Sequence, residues 1–151
     1  VILFSITGQV KHKKHVAEFV EDIIDYFFDD EPPREIHIEI TFMRATEDSL
    51  SGSCYGDNEE IQIEIARGVN IDGEYQLYGY EHQLQTLAHE MVHAKQFILS
   101  EVTDLNCQWN PVGGEPEDCS NLNHQTYPWE IEARALEKVL YDKFRSTIPA
   151  K

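Results

Sequence analysis

Tyr80-Glu81-His82-Gln83-Leu84-Gln85-Thr86-Leu87-Ala88-His89-Glu90-Met91-Val92-His93-Ala94-Lys95-Gln96-Phe97-Ile98-Leu99 holds the pattern around which the rest of the chain is organised. Its apolar residues recur at helical spacing. Leu84, Leu87, Met91 and Ile98 fall on one side with Ala88 close by, and His82, Gln85, His89, His93 and Gln96 fall opposite. A helix from about Tyr80 to Leu99 therefore has a core face and a separate polar face that carries histidines. Within it, His89-Glu90-Met91-Val92-His93 fits H-E-x-x-H. Residues four apart on a helix lie one turn apart on nearly the same face. Two imidazoles so placed grip one Zn²⁺ at about 2.0–2.1 Å each. Glu90, beside the first imidazole, reaches a water on the metal without ligating the metal itself. A chance match would often put one histidine into the core stripe, and this one does not.

Upstream, Val16, Phe19, Val20, Ile23, Ile24, Phe27 and Phe28 give one apolar face to a helix within Val10 to Asp30, which Pro32-Pro33 stops. Glu35 to Met43 alternates strictly, with Ile36, Ile38, Ile40 and Phe42 on one face, and so reads as a half-buried strand. Ile61, Ile63 and Ile65 repeat the pattern after an Asp57-Asn58 turn, and Ser51 to Gly56 is expected at the sheet edge in a hairpin. Gly68 to Gly79 reads as a turn-rich connection containing Asp72-Gly73. Downstream, a loop from about Ser100 to Tyr127 is long enough to suggest a function or an internal staple. A last helix runs from Pro128 to about Ser146 with Trp129, Ala133, Leu136, Leu140 and Phe144 as its stripe. The expected fold is α+β: one domain over residues 1–151, with a small twisted sheet, mainly antiparallel or mixed. That sheet packs against an N-terminal helix, the histidine helix and a C-terminal helix.

The chain has 151 residues, 41% hydrophobic and 11% aromatic, enough for a real core. No apolar run approaches the roughly 18–20 residues of a membrane span, and Val1 to Phe4 is too short for the apolar segment of a signal peptide. Twelve Lys and Arg against 28 Asp and Glu leave a net charge of −16. Binding to phosphate backbones or anionic lipid needs cationic side chains, so nucleic acid and membrane are excluded as expected partners. Lys11-His12-Lys13-Lys14-His15, the one basic cluster, reads as the solvated start of a helix. A monomer is expected, and both cytoplasm and secretion remain open. Cys54, Cys107 and Cys119 include no Cys-x-x-Cys, although a Cys107–Cys119 bridge across the Pro- and Gly-containing loop is geometrically plausible, with free thiols as the alternative.

A catalytic zinc site needs a third protein ligand and an open position. The extended pattern H-E-x-x-H-x-x-G-x-x-H fails, because Gln96 and Leu99 stand where Gly and His are required. Glu130 and Glu132 lie in the first turn of the last helix, a rigid platform for a carboxylate. Glu130 is favoured, with small Ala133 at i+3 and Arg134 at i+4 to hold it, and Glu132 is the alternative. Tyr127 and His124, just before that helix, are the candidate donors to a developing oxyanion.

His89-Glu90-Met91-Val92-His93 followed by Glu130-Ile131-Glu132-Ala133 resembles the zincin metallopeptidases, specifically the gluzincin branch. There a glutamate on a later helix completes the site, commonly within E-x-x-A. The small size resembles the minimal gluzincins, and the strand order before the helix is similar to that of SprT-like domains. The resemblance extends from about Ser51 to Lys143 and is carried chiefly by H-E-x-x-H. It implies a peptidase in which two His and one Glu hold Zn²⁺ and Glu90 is general base and acid. The SprT-like comparison implies instead a third histidine, for which His124 is the candidate. A peptide or protein substrate, favoured when basic by the negative field, is expected to add a strand at Ser51 to Gly56. Two other readings stand beside this one: a zincin scaffold that binds or regulates but cleaves little, and a metal-dependent hydrolase of a non-peptide bond.

Overall fold

The structure is a computed structural model that describes residues 1–46, 50–102, 108–123 and 126–145. Strand β1 (Ile2–Gly8) leads into helix α1 (Lys13–Phe27), followed by β2 (Ile36–Met43), β3 (Gly52–Gly56) and β4 (Glu60–Ala66). A hairpin of β5 (Gly68–Ile71) and β6 (Glu74–Leu77) then precedes helix α2 (Tyr80–Ile98). Two short strands, β7 (Gln108–Trp109) and β8 (Glu117–Asp118), lie before helix α3 (Pro128–Phe144). The architecture is α+β, with a mixed sheet in the order β1-β2-β4-β3. β1, β2 and β4 are parallel to one another, and β3 runs antiparallel to β4 at the edge.

The alternation read in β2 and β4 has the expected consequence. Ile36, Ile38, Ile40, Ile61, Ile63 and Ile65 are all at most 2% exposed and meet Phe19, Ile23, Leu84 and Leu87 in one continuous core. Burying each such side chain contributes about 1.5–3 kcal/mol. The opposite face, with His37, Glu39 and Gln62, is solvated. β1 adds a strand that the sequence reading did not contain. Ile2 and Ile6 point into the core with Phe4 half-buried between them, a period of two that the short apolar run at Val1 to Phe4 had concealed. Residues 68–79 are likewise more than a connection: Asp72 at φ 52° and Gly73 at φ 82° make the tight turn of a two-stranded hairpin. At the β3–β4 turn, Asp57 Oδ1 accepts from the amides of Glu59 and Glu60, both at 2.8 Å, which holds its carboxyl below the usual range.

α2 lies between the sheet and α3, so it is buried on two sides rather than one. The face that carries the histidines is solvated at His82 but covered towards its C-terminal end, where Gln96 is 0% exposed and His93 9%. The described part of the long loop is stapled by the β7–β8 pair and gathered on Glu101, whose backbone oxygen accepts from Asn110 N at 2.7 Å. Cys119 is buried there, and the proposed bridge to Cys107 falls outside the described residues.

Lys95 ties these parts together. Its Nζ lies 2.7 Å from Glu101 Oε1 and 2.9 Å from Glu132 Oε1, joining α2 to the loop and to α3. The Glu101 side chain is 4% exposed, so removing its counter-charge leaves a buried anion uncompensated. Lys95→Met is therefore expected to lower stability by about 3 kcal/mol. Urea unfolding with an unchanged slope measures this, and Glu101→Gln in the same background should restore much of the loss.

Candidate metal centre

The third and fourth turns of α2 and the first turn of α3 supply the site. His89 and His93 project from α2 one turn apart, their rings 4.9 Å between centroids and nearly perpendicular. Pro128 opens α3, and the helix then presents Glu130 to both rings. His89 Nε2 lies 3.4 Å from Glu130 Oε2, and His93 Nε2 lies 3.0 Å from Glu130 Oε1. The three candidate ligand atoms all lie within 4.8 Å of one another. Atoms bound tetrahedrally to one zinc at about 2.0–2.1 Å stand about 3.3–3.5 Å apart, so this donor set fits that ion.

The far nitrogens of the rings settle which atoms face the centre. His93 Nδ1 is 2.8 Å from Gln96 Oε1, and Gln96 Nε2 lies 3.0 Å from both Trp129 O and Glu132 Oε1. Reversing the amide would set its oxygen against a carbonyl and a carboxylate, so the NH₂ must point to α3 and the oxygen to His93. The oxygen needs a donor, so His93 carries a proton on Nδ1, which leaves its Nε2 to face Glu130 and the centre. On the other ring, His89 Nδ1 is 3.7 Å from Glu137 Oε2, two helical turns beyond Glu130 on the same face of α3. Such partners orient metal-binding imidazoles.

Electrostatics follow the geometry. Burial opposes ionisation of Glu130, but its hydrogen bonds with His89 and His93 and their charge outweigh burial and hold the carboxyl well below its usual range. Burial also disfavours the His93 cation, and Glu130, Glu90 and Gln96 together more than offset it. Glu90 is 5% exposed, and burial pushes its carboxyl up despite the two imidazoles beside it. Its Oε2 is buried with no hydrogen-bond partner among the described residues. A cleft of about 460 Å³ opens over His89, Glu90, His93 and Glu130 and is walled by β3 and by His82, Thr86 and Glu137.

Of the residues singled out from the sequence, His89, Glu90, His93 and Glu130 are brought together. Glu132 is not: it turns to Lys95 and Gln96. His124 lies outside the described residues. Tyr127 is not among the described residues lining the cleft; its ring stacks on Trp129 at 4.4 Å. His82, from the polar face of the same helix, also lines the cleft, stacked on Tyr78 and 3.1 Å from Ser51 Oγ. Glu137 and the orienting role of Gln96 were missed. A seven-residue step from Glu130 could have pointed to Glu137, whereas Gln96 was read only as a position where a glycine was lacking.

Gln96→Leu is expected to weaken metal binding by about 10–100-fold, because His93 loses the acceptor that fixes its ring. Glu137→Gln, acting across a longer gap, should cost less than Gln96→Leu; competition with a chromogenic chelator ranks the two. Comparison of the chain with protein-family profiles, with curated proteins and with solved structures returned no match. The resemblance to gluzincins therefore rests on the motif residues alone.

Proposed function

We propose that this chain is a zinc-dependent peptidase of zincin-like, gluzincin-type build. In this reading His89, His93 and Glu130 hold the metal, and Glu90 is the general base and acid. The observation that carries it is the convergence of ligand atoms of His89, His93 and Glu130 within 4.8 Å, beside the buried carboxyl of Glu90, whose Oε2 has no hydrogen-bond partner among the described residues. Two imidazoles and one carboxylate are the donor set of a catalytic zinc site with an open position, rather than a closed structural one. Held by these residues, zinc would lower the pKa of a water towards about 7 and polarise a substrate carbonyl.

The remaining steps belong to side chains. Burial makes the Glu90 carboxylate ready to take up a proton, so it draws one from the attacking water and returns it to the departing amine. Gln96 and Glu137 keep the imidazoles aligned while charge changes beside them. Substrate orientation falls to β3. Ser51 and Asp57 are in hydrogen-bonded register with β4. By the alternation of an antiparallel pair, the amides and carbonyls of Gly52 and Cys54 therefore point to the free edge, above the cleft. An extended peptide hydrogen-bonded there would lay its backbone across the centre.

Gly52 permits this closeness. A Cβ at that position would meet Thr86 Cγ2 at 2.7 Å, Glu64 O at 3.0 Å and Glu90 Cγ at 3.3 Å. Gly52→Ala should push β3 outward and lower kcat/KM on a peptide by about tenfold or more with zinc content unchanged. The decisive comparison is a peptide-library digestion with metal analysis on each protein. Glu90→Gln is expected to keep one zinc per chain and lose cleavage; His89→Ala and His93→Ala should lose both. Glu130→Ala should lose the metal and Glu132→Ala retain it. Equal cleavage by wild type and Glu90→Gln, or normal zinc in the double histidine variant, would overturn this reading.

A further inference from the structure

A second cavity, of about 720 Å³, lies where β1 and β4 end and where α1 and α2 begin, and it shares no lining residue with the metal cleft. We propose that it binds a small organic oxyanion, a carboxylate or phosphate ester carried on an apolar body. Three independent features point to that chemistry.

Charge is the first. In a chain with 28 acidic residues, none of the described residues lining this cavity is Asp or Glu, while Lys11, His12 and Arg67 all line it. Arg67 is half-buried and has no carboxylate within 4.0 Å among the described residues; its one side-chain partner is Gln9, at 3.0 Å from Nη1. A cation taken partly out of water is normally compensated by a counter-charge. Its Nε is buried with no hydrogen-bond partner among the described residues, and the same holds for the hydroxyl of Tyr80, another lining residue. Guanidinium N–H groups are fixed in a planar fork that matches the paired oxygens of carboxylate and phosphate.

Backbone is the second. Gly8 leaves β1 at φ 90°, and a Cβ there would stand 2.0 Å from Phe42 O, so the chain folds over the end of β2 only because this residue is bare. His12 then enters α1 in the left-handed region at φ 55°, a conformation that costs free energy and gathers at binding sites. Neither His12 nor Gly79, the residues preceding α1 and α2, gives its helix a side-chain cap. Gly79 and Tyr80, at the start of α2, line the cavity, and an uncapped helix start offers amide donors beside the cationic side chains.

Size and lining are the third. The volume falls within the roughly 300–1,000 Å³ of small-molecule pockets and is far more than a bare inorganic ion fills. Val10, Leu77 and the rings of Tyr78 and Tyr80 supply the apolar wall. The basic cluster that reads from sequence as a solvated helix start therefore contributes Lys11 and His12 to a concave site.

The test is a ¹⁵N NMR titration of the full chain in phosphate-free buffer with phenyl phosphate, phenylacetate and neutral phenol. Either anion should shift the Arg67 Nε–H and Gly79 amide signals, with or without zinc, and phenol should not. Binding of one anion alone identifies the head group; binding of both defines a general oxyanion site. Arg67→Gln should weaken binding about tenfold or more, and exposed Lys11→Gln several-fold with an unchanged melting temperature. No shift by either anion up to about 10 mM, equal shifts by phenol, or unchanged affinity in both variants would overturn the proposal. If Arg67→Gln fails to fold, Lys11→Gln decides.

Discussion

One buried amide holds the geometry of the candidate metal centre. Gln96 is wholly enclosed, accepts from His93 on its own helix and donates to Trp129 O and Glu132 on α3. An enclosed amide with an unmet bond costs about 1–3 kcal/mol, so the two helices dock in the register that satisfies it. That register sets the first turn of α3 over His89 and His93, with Glu130 as its inward carboxylate. Lys95 and Glu132 extend the clamp by one ion pair, and buried Ala133 leaves room for the helices to approach. Orientation of a ligand ring and docking of the helix that carries its neighbour are thus one constraint.

The loop before α3 serves the same end. Trp109 from the β7–β8 pair approaches Trp129, which also stacks on Tyr127, so aromatic contacts fix the start of the helix just before Glu130. Val112 N donates to Glu101 Oε2, and Glu101 in turn meets Lys95. A long excursion of chain is thereby anchored to the helix that bears the histidines, and the turn that carries Glu130 is held from both sides.

Much of this was legible in sequence, wherever periodicity or a motif concentrated the signal. β2, β4 and the three helices follow from apolar spacing, and His89, Glu90 and His93 from a pattern whose chemistry fixes the spacing. Glu130 was separable from Glu132 only in favour, because both occupy the first turn and the choice depends on how α3 is rotated. The rest was set by tertiary contact. β1 hides in a run whose alternation becomes visible only when β2 lies beside it, and β5–β6 carries few buried residues to mark its strands. Gln96 and Glu137 acquire their roles through partners 33 and 48 positions away, Trp129 and His89. The Arg67 cavity depends on the strands ending together, a property of topology that no local stretch records.

The brevity of β3 has its own meaning. Five residues, bounded by Gly52 and Gly56, leave only alternate backbone groups unpaired on the sheet's open side. An open margin is where copies of a protein grow into fibrils, and a long flat one invites it. Here the margin is short and ends at a sharp turn, and the molecule's strong net negative charge repels its own kind. An edge so short and so guarded by charge gives a filament little to grow from.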